Sequence, residues 1–110
     1  MNSTEIQILR NISQNPCISQ REIASKNEIS LGKVNYVIKF LVEKGHVKIH
    51  NFKKSQNKKR YMYLLTPKGM TEKARLTAEF LRRKMEEYEK LQTELRELKQ
   101  ELHEYNKSND

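Results

Sequence analysis

The sequence has few of the residue patterns on which catalytic and metal sites depend. Its 110 residues include only three glycines, which form no phosphate-binding loop, and no nucleophile has a base beside it. The one cysteine, Cys17, cannot form an internal disulfide, and the three histidines lack metal-ligand spacing. We therefore expect a protein that is not an enzyme and has no metal site and no cofactor.

Long apolar runs are also absent. Hydrophobic residues make up 35% of the chain and charged residues 33%, and no segment resembles a membrane span or the core of a signal peptide. We expect a cytoplasmic, nucleoid-associated protein with no membrane partner. Such a polar balance also indicates that part of the chain is an extended, solvated element outside the core.

The positive charge is unevenly distributed. Residues 1–69 contain 13 lysines and arginines against 4 glutamates, whereas residues 70–110 contain 9 basic against 10 acidic residues. A basic surface confined to one half of a small protein is typical of proteins that bind polyanions. Double-stranded DNA is the expected partner.

Apolar spacing predicts three helices in the first half. The first runs from Thr4 to the Asn15-Pro16 pair, because proline disfavours helical geometry in the residue before it. The second follows the capping box Ser19-Gln-Arg-Glu22 and ends near Lys26 or Asn27. We expect Asn27 to adopt the left-handed conformation after which Ser30 caps the third helix.

The third helix is expected from Leu31 to Lys44, with Gly45 as its left-handed terminator. Its apolar stripe consists of Val34, Val37, Ile38, Leu41 and Val42. A short turn joins helices two and three, and this arrangement is typical of a helix-turn-helix.

Period-two alternation then predicts two strands, residues 46–50 and 61–65, joined by a polar loop from Asn51 to Arg60. Three helices followed by a hairpin form a winged helix. The expected fold class is therefore mainly α with a small β-hairpin, followed by a long C-terminal helix. We divide the chain into a DNA-binding domain, residues 1–66, and the helix, residues 67–110.

The last helix is expected to begin at Pro67, capped by Thr66, and to continue without a breaker through Tyr105. Up to about residue 88 we expect it to pack on the winged helix through Ala74, Ala78, Leu81, Met85 and Tyr88. We expect residues 91–105 to form a dimerisation zipper, a coiled coil through Leu91, Leu95, Leu98, Leu102 and Tyr105. A parallel pair would place Glu94 near Lys99 of the partner, but an antiparallel pair remains an alternative, as does a solvated single helix.

The expected DNA contacts lie at the helix-turn-helix and on the hairpin. The second helix of this motif enters the major groove, where Asn35 matches adenine, Lys33 suits guanine or phosphate, and Tyr36 suits a thymine methyl or phosphate. The full predicted set is Ser19, Gln20, Ser30, Gly32, Lys33, Asn35, Tyr36, Lys39, Lys53, Lys54, Lys58, Lys59 and Arg60.

Four strings resemble a known family. ISQREIA, ISLGKVNYVIKFLVEKGHVKI, NFKKSQNKKRYMYLLTPKG and EKARLTAEFLRRKMEEYE look like the MarR-type regulators associated with bacterial exopolysaccharide gene clusters. The resemblance implies a homodimeric DNA-binding transcriptional regulator, with Lys33, Asn35 and Tyr36 at the DNA. Larger MarR proteins bind effectors between additional helices, which this chain lacks, so no small-molecule effector is expected.

Two other functions fit the residues. A small basic winged helix with a long C-terminal coiled coil also resembles archaeal chromatin proteins, which bind DNA with little sequence preference. Alternatively, the winged helix could dock a protein partner while the zipper acts as a scaffold.

Overall fold

The computed structural model describes residues 2–55 and 58–109, with side chains for residues 3–51 and 61–109. The elements are α1 (Asn2–Gln14), α2 (Gln20–Asn27), α3 (Leu31–Glu43), β1 (Val47–Ser55), β2 (Lys58–Leu65) and α4 (Pro67–Ser108). Three helices, an antiparallel hairpin and a long helix confirm the predicted fold class. The chain divides into two compact units, Met1–Thr77 and Ala78–Asp110.

Local hydrogen bonds define the start of α2 and α3. The Ser19 hydroxyl accepts from the Glu22 amide at 3.1 Å, and the Glu22 carboxylate accepts from the Ser19 amide at 3.4 Å. The Ser30 hydroxyl accepts from the Lys33 amide at 3.1 Å. Each bond satisfies an amide that has no partner inside its helix, which confirms the predicted caps.

The left-handed residue after α2 is Glu28, with φ 54°, so the assignment of this conformation to Asn27 is wrong. Asn27 stays in the helix, where its side-chain amide donates to the carbonyl of Ile23 at 2.8 Å. The left-handed residue therefore follows one position later than predicted. The left-handed geometry predicted for Gly45 is confirmed by its φ of 77°.

The core of the first unit is aliphatic and lies between the three helices and the hairpin. On α3, Val34, Val37, Ile38 and Leu41 are fully buried, as their spacing predicts, whereas Val42 is half-buried. The other large buried apolar residues are Ile6, Ile8, Leu9, Ile12, Ile18, Ile23, Val47, Tyr63 and Leu76. Because α3 buries one face completely, its opposite face is left at the surface.

The hairpin strands are longer than predicted. They pair from Val47 opposite Leu65 to Ser55 opposite Lys58, with an irregularity between Lys53 and Ser55. The expected ten-residue loop from Asn51 to Arg60 is therefore wrong. Backbone hydrogen bonds can extend a two-stranded ribbon through charged residues, because no buried face requires apolar alternation there.

Backbone bonds attach the hairpin to the helices. The amide of Tyr63 donates to the carbonyl of Pro16 at 2.9 Å, and the amide of Thr66 donates to the carbonyl of His46 at 3.1 Å. The first bond joins β2 to the connection between α1 and α2, and the second closes the base of the hairpin. The hairpin base is thereby fixed beside the helix-turn-helix.

The cap predicted for α4 is confirmed, since the Thr66 hydroxyl accepts from the amide of Gly69 at 3.0 Å. Within the first unit, α4 buries Gly69 and Leu76, whereas Ala74, the residue of the expected stripe that lies in this unit, is exposed. The packing predicted for Ala78, Leu81, Met85 and Tyr88 stays a prediction. At 100° per residue, Leu76 shares a face with Gly69, and Ala74 lies far around the helix from them.

The zipper residues of α4 are also exposed in the single chain. Leu91, Leu95, Leu98, Leu102 and Tyr105 retain 46 to 67% of their accessible surface. Their helical conformation is observed, and their pairing with another chain stays a prediction. No helix among residues 2–55 and 58–109 is both long and apolar enough to cross a membrane.

Candidate nucleic-acid interface

The exposed face of α3 carries the residues predicted to contact DNA. Gly32, Lys33, Asn35, Tyr36 and Lys39 are all exposed, and Tyr36 retains 61% of its surface. Leu31, 43% exposed, lies at the start of the same helix and is the one apolar residue there that the prediction omitted. The fold thus gathers four polar side chains on one accessible helix face.

A hydrogen-bonded chain of side chains connects this face to the hairpin. Nδ2 of Asn35 donates to Oε1 of Gln20 at 3.2 Å, and Nε2 of Gln20 donates to the Tyr63 hydroxyl at 3.3 Å. Tyr63 is 5% exposed, so its ring is held by the core. Gln20 therefore bridges α3 and β2, and Tyr63 is a supporting residue that the predicted set of DNA contacts did not include.

The hydrogen bond to Gln20 orients Asn35 and leaves other hydrogen-bonding groups of the Asn35 amide unused. One N–H of the Asn35 amide is used by Gln20, which leaves a second N–H donor and the Oδ1 acceptor. Adenine presents one acceptor and one donor at its major-groove edge, which is the complementary pair. The geometry is compatible with the predicted bidentate contact.

Ser19 and Ser30 have structural duties at the helix starts. Each hydroxyl oxygen accepts a backbone amide, so each retains an O–H that can donate to a phosphate. The first turn of α3 also presents backbone amides, which favour a negative group near the helix start.

The surface at Gly32 is open. A Cβ built on Gly32 would meet no atom within 4 Å, and its backbone does not have positive φ. The fold therefore does not require glycine at this position.

The five basic residues predicted on the hairpin have side chains outside the described part of the structure. Their backbones place Lys53 opposite Lys59 on paired strands, with Lys58 and Arg60 on either side of Lys59. These residues and Lys54 thus follow the strands instead of a flexible loop. Their contact with DNA stays a prediction.

Groups of histidine, cysteine and acidic residues that could hold a metal ion are not found in residues 2–55 and 58–109. The chemistry available at the candidate interface is that of cationic and amide side chains and helix-terminal amides, which bind phosphates and base edges.

Comparison with known proteins gives one domain-family match. Residues 1–48 match the family of winged helix-turn-helix DNA-binding domains. This range covers the three helices and the start of β1. No curated protein sequence matches the chain.

Solved structures of similar fold include transcriptional regulators of the MarR type. MarR of Staphylococcus aureus in complex with salicylate and kanamycin shares 21% identity and a TM-score of 0.56, covering 78% of this chain and 56% of that one. FabT of Streptococcus pneumoniae in complex with DNA shares 20% identity and a TM-score of 0.56, covering 76% and 56%. A Staphylococcus aureus MepR variant bound to an oligodeoxyribonucleotide shares 17% identity and a TM-score of 0.60, covering 90% and 78%.

At these identities the likeness shows a common fold, the winged helix of MarR-type regulators. The chain spans little more than half the length of the MarR and FabT structures. The matched family consists of DNA-binding domains, and the FabT and MepR structures contain bound DNA, which agrees with the expectation that the chain is not an enzyme. The expectation of no small-molecule effector has no support here, because the MarR neighbour is a complex with salicylate and kanamycin.

Proposed function

We propose that this protein is a sequence-specific DNA-binding transcriptional regulator of the MarR type that acts in the cytoplasm as a homodimer. The observation that carries the proposal is the exposed polar face of α3, with Asn35 held in place by Gln20. In a winged helix this is the face that enters the major groove. The winged-helix family match and the DNA-bound FabT and MepR structures of the same fold support it.

The exposed residues predicted to contact DNA on α3 each have a role in this proposal. Asn35 reads adenine through its remaining N–H and its Oδ1, and Lys33 donates to guanine or to a phosphate. Tyr36 contacts a thymine methyl or a phosphate, and Lys39 contacts the backbone. Ser19, Gln20, Ser30 and the amides near Gly32 approach phosphates beside the groove.

The basic hairpin has a different role. Lys53, Lys54, Lys58, Lys59 and Arg60 contact the DNA backbone or the minor groove, which adds affinity that depends on salt more than on sequence. Excess positive charge confined to residues 1–69 supports this division of roles.

Dimerisation is assigned to the last part of α4. Its exposed leucines and tyrosines repeat at the spacing of a coiled coil, and burying them against another chain would remove apolar surface from water. Changing Leu95 and Leu98 to Glu in the full chain should give a monomer by sedimentation equilibrium. Changing the outward Arg96 and Gln100 to Glu is the matched control and should leave the dimer intact.

The regulated genes are proposed to be those of exopolysaccharide biosynthesis. Support comes from the sequence strings, above all the hairpin followed by LLTPKG and KARLT, which resemble regulators found beside such gene clusters. Footprinting on the DNA upstream of the protein's own gene cluster tests this, and protection of that region alone is the expected result.

A competition experiment tests the DNA-binding function itself. At fixed salt, a labelled promoter fragment from the native gene neighbourhood should be retained against a large excess of bulk DNA. Asn35→Ala should abolish this preference, whereas Gln14→Ala, which removes an exposed amide from α1, should not change it. Equal affinity for promoter and bulk DNA would instead indicate the architectural function, and no affinity for either would indicate a protein scaffold.

A further inference from the structure

The end of α4 presents an uninterrupted coiled-coil stripe, which we call the zipper stripe. It comprises Tyr88, Leu91, Leu95, Leu98, Leu102 and Tyr105, each between 46 and 67% exposed. The spacing of three and four residues alternates without a break, so Tyr88, Leu95 and Leu102 occupy a positions and the others occupy d positions. Leu81 and Met85 precede this register and do not belong to it.

We infer that the zipper stripe pairs with a second copy of the chain, parallel and in register. The inference rests on the proposed homodimer and adds its direction. The apolar stripe alone does not decide the direction, because leucine layers form in both arrangements. The charged residues beside the stripe do decide it.

The residues flanking the stripe differ in charge. The g positions are Glu87, Glu94 and Glu101, and the e positions are Gln92, Lys99 and Asn106. In a parallel pair each g residue meets the e residue five positions further along the partner, so Glu94 meets Lys99 twice per dimer. An antiparallel pair on the same stripe brings g positions together, and Glu94 then meets Glu101 twice. The parallel arrangement has two attractions where the antiparallel one has two repulsions.

The charged residues that distinguish the parallel from the antiparallel arrangement are available to pair with another chain. Within the described part of α4, Glu94, Lys99 and Glu101 form no hydrogen bond or ion pair with their own side-chain neighbours. In contrast, Glu87 is already paired with Lys84 at 3.2 Å, and Gln92 donates to the Tyr88 hydroxyl at 2.9 Å. A parallel partner would pair two of these three unpaired residues, Glu94 and Lys99.

The direction has a consequence for DNA binding. In a parallel pair both copies of Ala78, where the second unit begins, lie at the same end of the zipper. In the antiparallel pair they would be separated along the axis by roughly 55 Å at 1.5 Å per residue. A parallel zipper therefore attaches both winged helices at one end, where they can bind neighbouring half-sites.

Distance measurement between spin labels tests the direction in the full chain. Cys17 is exposed and is replaced by Ser, and Ser108→Cys supplies a single label site. Parallel chains should give a separation of about 20 to 30 Å, set by the interhelical distance and the label arms. Antiparallel chains would add an axial offset of about 35 Å. A distribution centred beyond 35 Å would overturn the inference while leaving the dimeric regulator intact, whereas a monomer in sedimentation would overturn both.

Charge substitutions give an independent readout. Lys99→Glu should raise the dimer dissociation constant roughly tenfold, because two attractions become two repulsions. Adding Glu94→Lys should restore the dimer, since the pair is then reversed but again complementary. Lys90→Glu makes the same charge change at an outward c position and should leave the constant within about twofold. Equal effects of Lys99→Glu and Lys90→Glu, or no rescue by the second change, would overturn the parallel pairing.

Discussion

Oε1 of Gln20 accepts a hydrogen bond from Nδ2 of Asn35 at 3.2 Å, although the two residues belong to different helices. The other end of the Gln20 amide donates to the hydroxyl of Tyr63, which is held in the core. Asn35, which is proposed to contact bases, is thus positioned through Gln20 by a residue of β2. The orientation of Asn35 should therefore depend on the hydroxyl group of Tyr63.

Tyr63→Phe tests this support. The change removes one hydroxyl and keeps the buried ring, so the operator affinity should fall by about 1 kcal/mol, roughly fivefold. Affinity for random DNA should remain unchanged, because phosphate contacts do not require an oriented Asn35. Fluorescence anisotropy with both DNAs measures the two constants.

Tyr61→Phe is the matched control, since Tyr61 lies on the same strand, is 52% exposed and has no hydrogen bond to Gln20. It should leave operator binding unchanged. If Tyr63→Phe lowered affinity for both DNAs equally, the hydroxyl would act on the fold and not on Asn35.

Gly69→Ala should destabilise the first unit. A Cβ at this position would overlap the carbonyl oxygen of His46 and lie 2.8 Å from its carbonyl carbon. That carbonyl is fixed by the amide of Thr66 at 3.1 Å, so α4 or the hairpin base must move. We expect a loss of about 2 kcal/mol in the free energy of unfolding, measured with urea. A loss below about 0.5 kcal/mol would mean that the junction between β1 and α4 adjusts freely.

The parts of the fold that sequence predicted correctly depend on neighbouring residues. The capping box of Ser19 and Glu22 and the glycine after α3 are satisfied within one helical turn, so residue type and spacing suffice. The buried face of α3 also follows from its own periodicity.

Apart from the position of the left-handed residue after α2, the errors concern features that distant residues decide. Leu76 is buried because α4 passes His46 with Gly69 against it, and this contact sets which side of the helix faces the core. The bond between Gln20 and Tyr63 joins residues 43 positions apart, and no local pattern indicates it. The hairpin extends through charged residues because the strands pair through their backbones.

Acid should remove a small part of the stability through Glu72. The Arg75 guanidinium donates to the Glu72 carboxylate, with Nε to Oε2 at 3.2 Å, and this bond and the arginine charge lower the pKa of Glu72 below 4.5. A lowered pKa in the folded state contributes stability above the ordinary value, and this contribution is lost as pH falls through the folded pKa. Because Arg75 is 54% exposed, the contribution should be only a few tenths of a kcal/mol.

Urea unfolding of wild type and Glu72→Gln between pH 7 and pH 3 measures this effect. The difference in stability between the two should be largest at pH 7 and should shrink as the pH falls through the lowered pKa of Glu72. Glu89→Gln, at an exposed position in the second unit, is the control and should show no such pH dependence. A constant difference at all pH values would exclude ionisation of Glu72 as the cause.

Alanine at Lys58, Lys59 and Arg60 should weaken binding to all DNA sequences about equally. If each side chain neutralises one phosphate, the slope of log K against log salt should become shallower by about 2 to 3 per protomer. Anisotropy titrations between low and moderate salt measure the slope with operator and random DNA.

Alanine at Lys90, Arg96 and Lys107 removes the same charge from outward positions of α4 and should leave the slope nearly unchanged. If the hairpin substitutions lowered affinity for the operator but not for random DNA, the hairpin would read bases. An unchanged slope after the hairpin substitutions would remove the hairpin from the DNA interface.

Gly32→Ala separates stability from DNA binding at the first turn of α3. No atom lies within 4 Å of the added methyl group, and alanine favours the helix over glycine, so the free energy of unfolding should rise by about 0.5 kcal/mol. If the DNA backbone approaches the start of α3, the same methyl group should lower operator affinity by roughly tenfold, because it occupies the space through which a phosphate reaches the amides. Urea unfolding and operator anisotropy on one preparation measure both effects. A more stable protein with unchanged affinity would show that DNA does not approach Gly32 closely, and the contacts would then have to begin at Lys33 and Asn35.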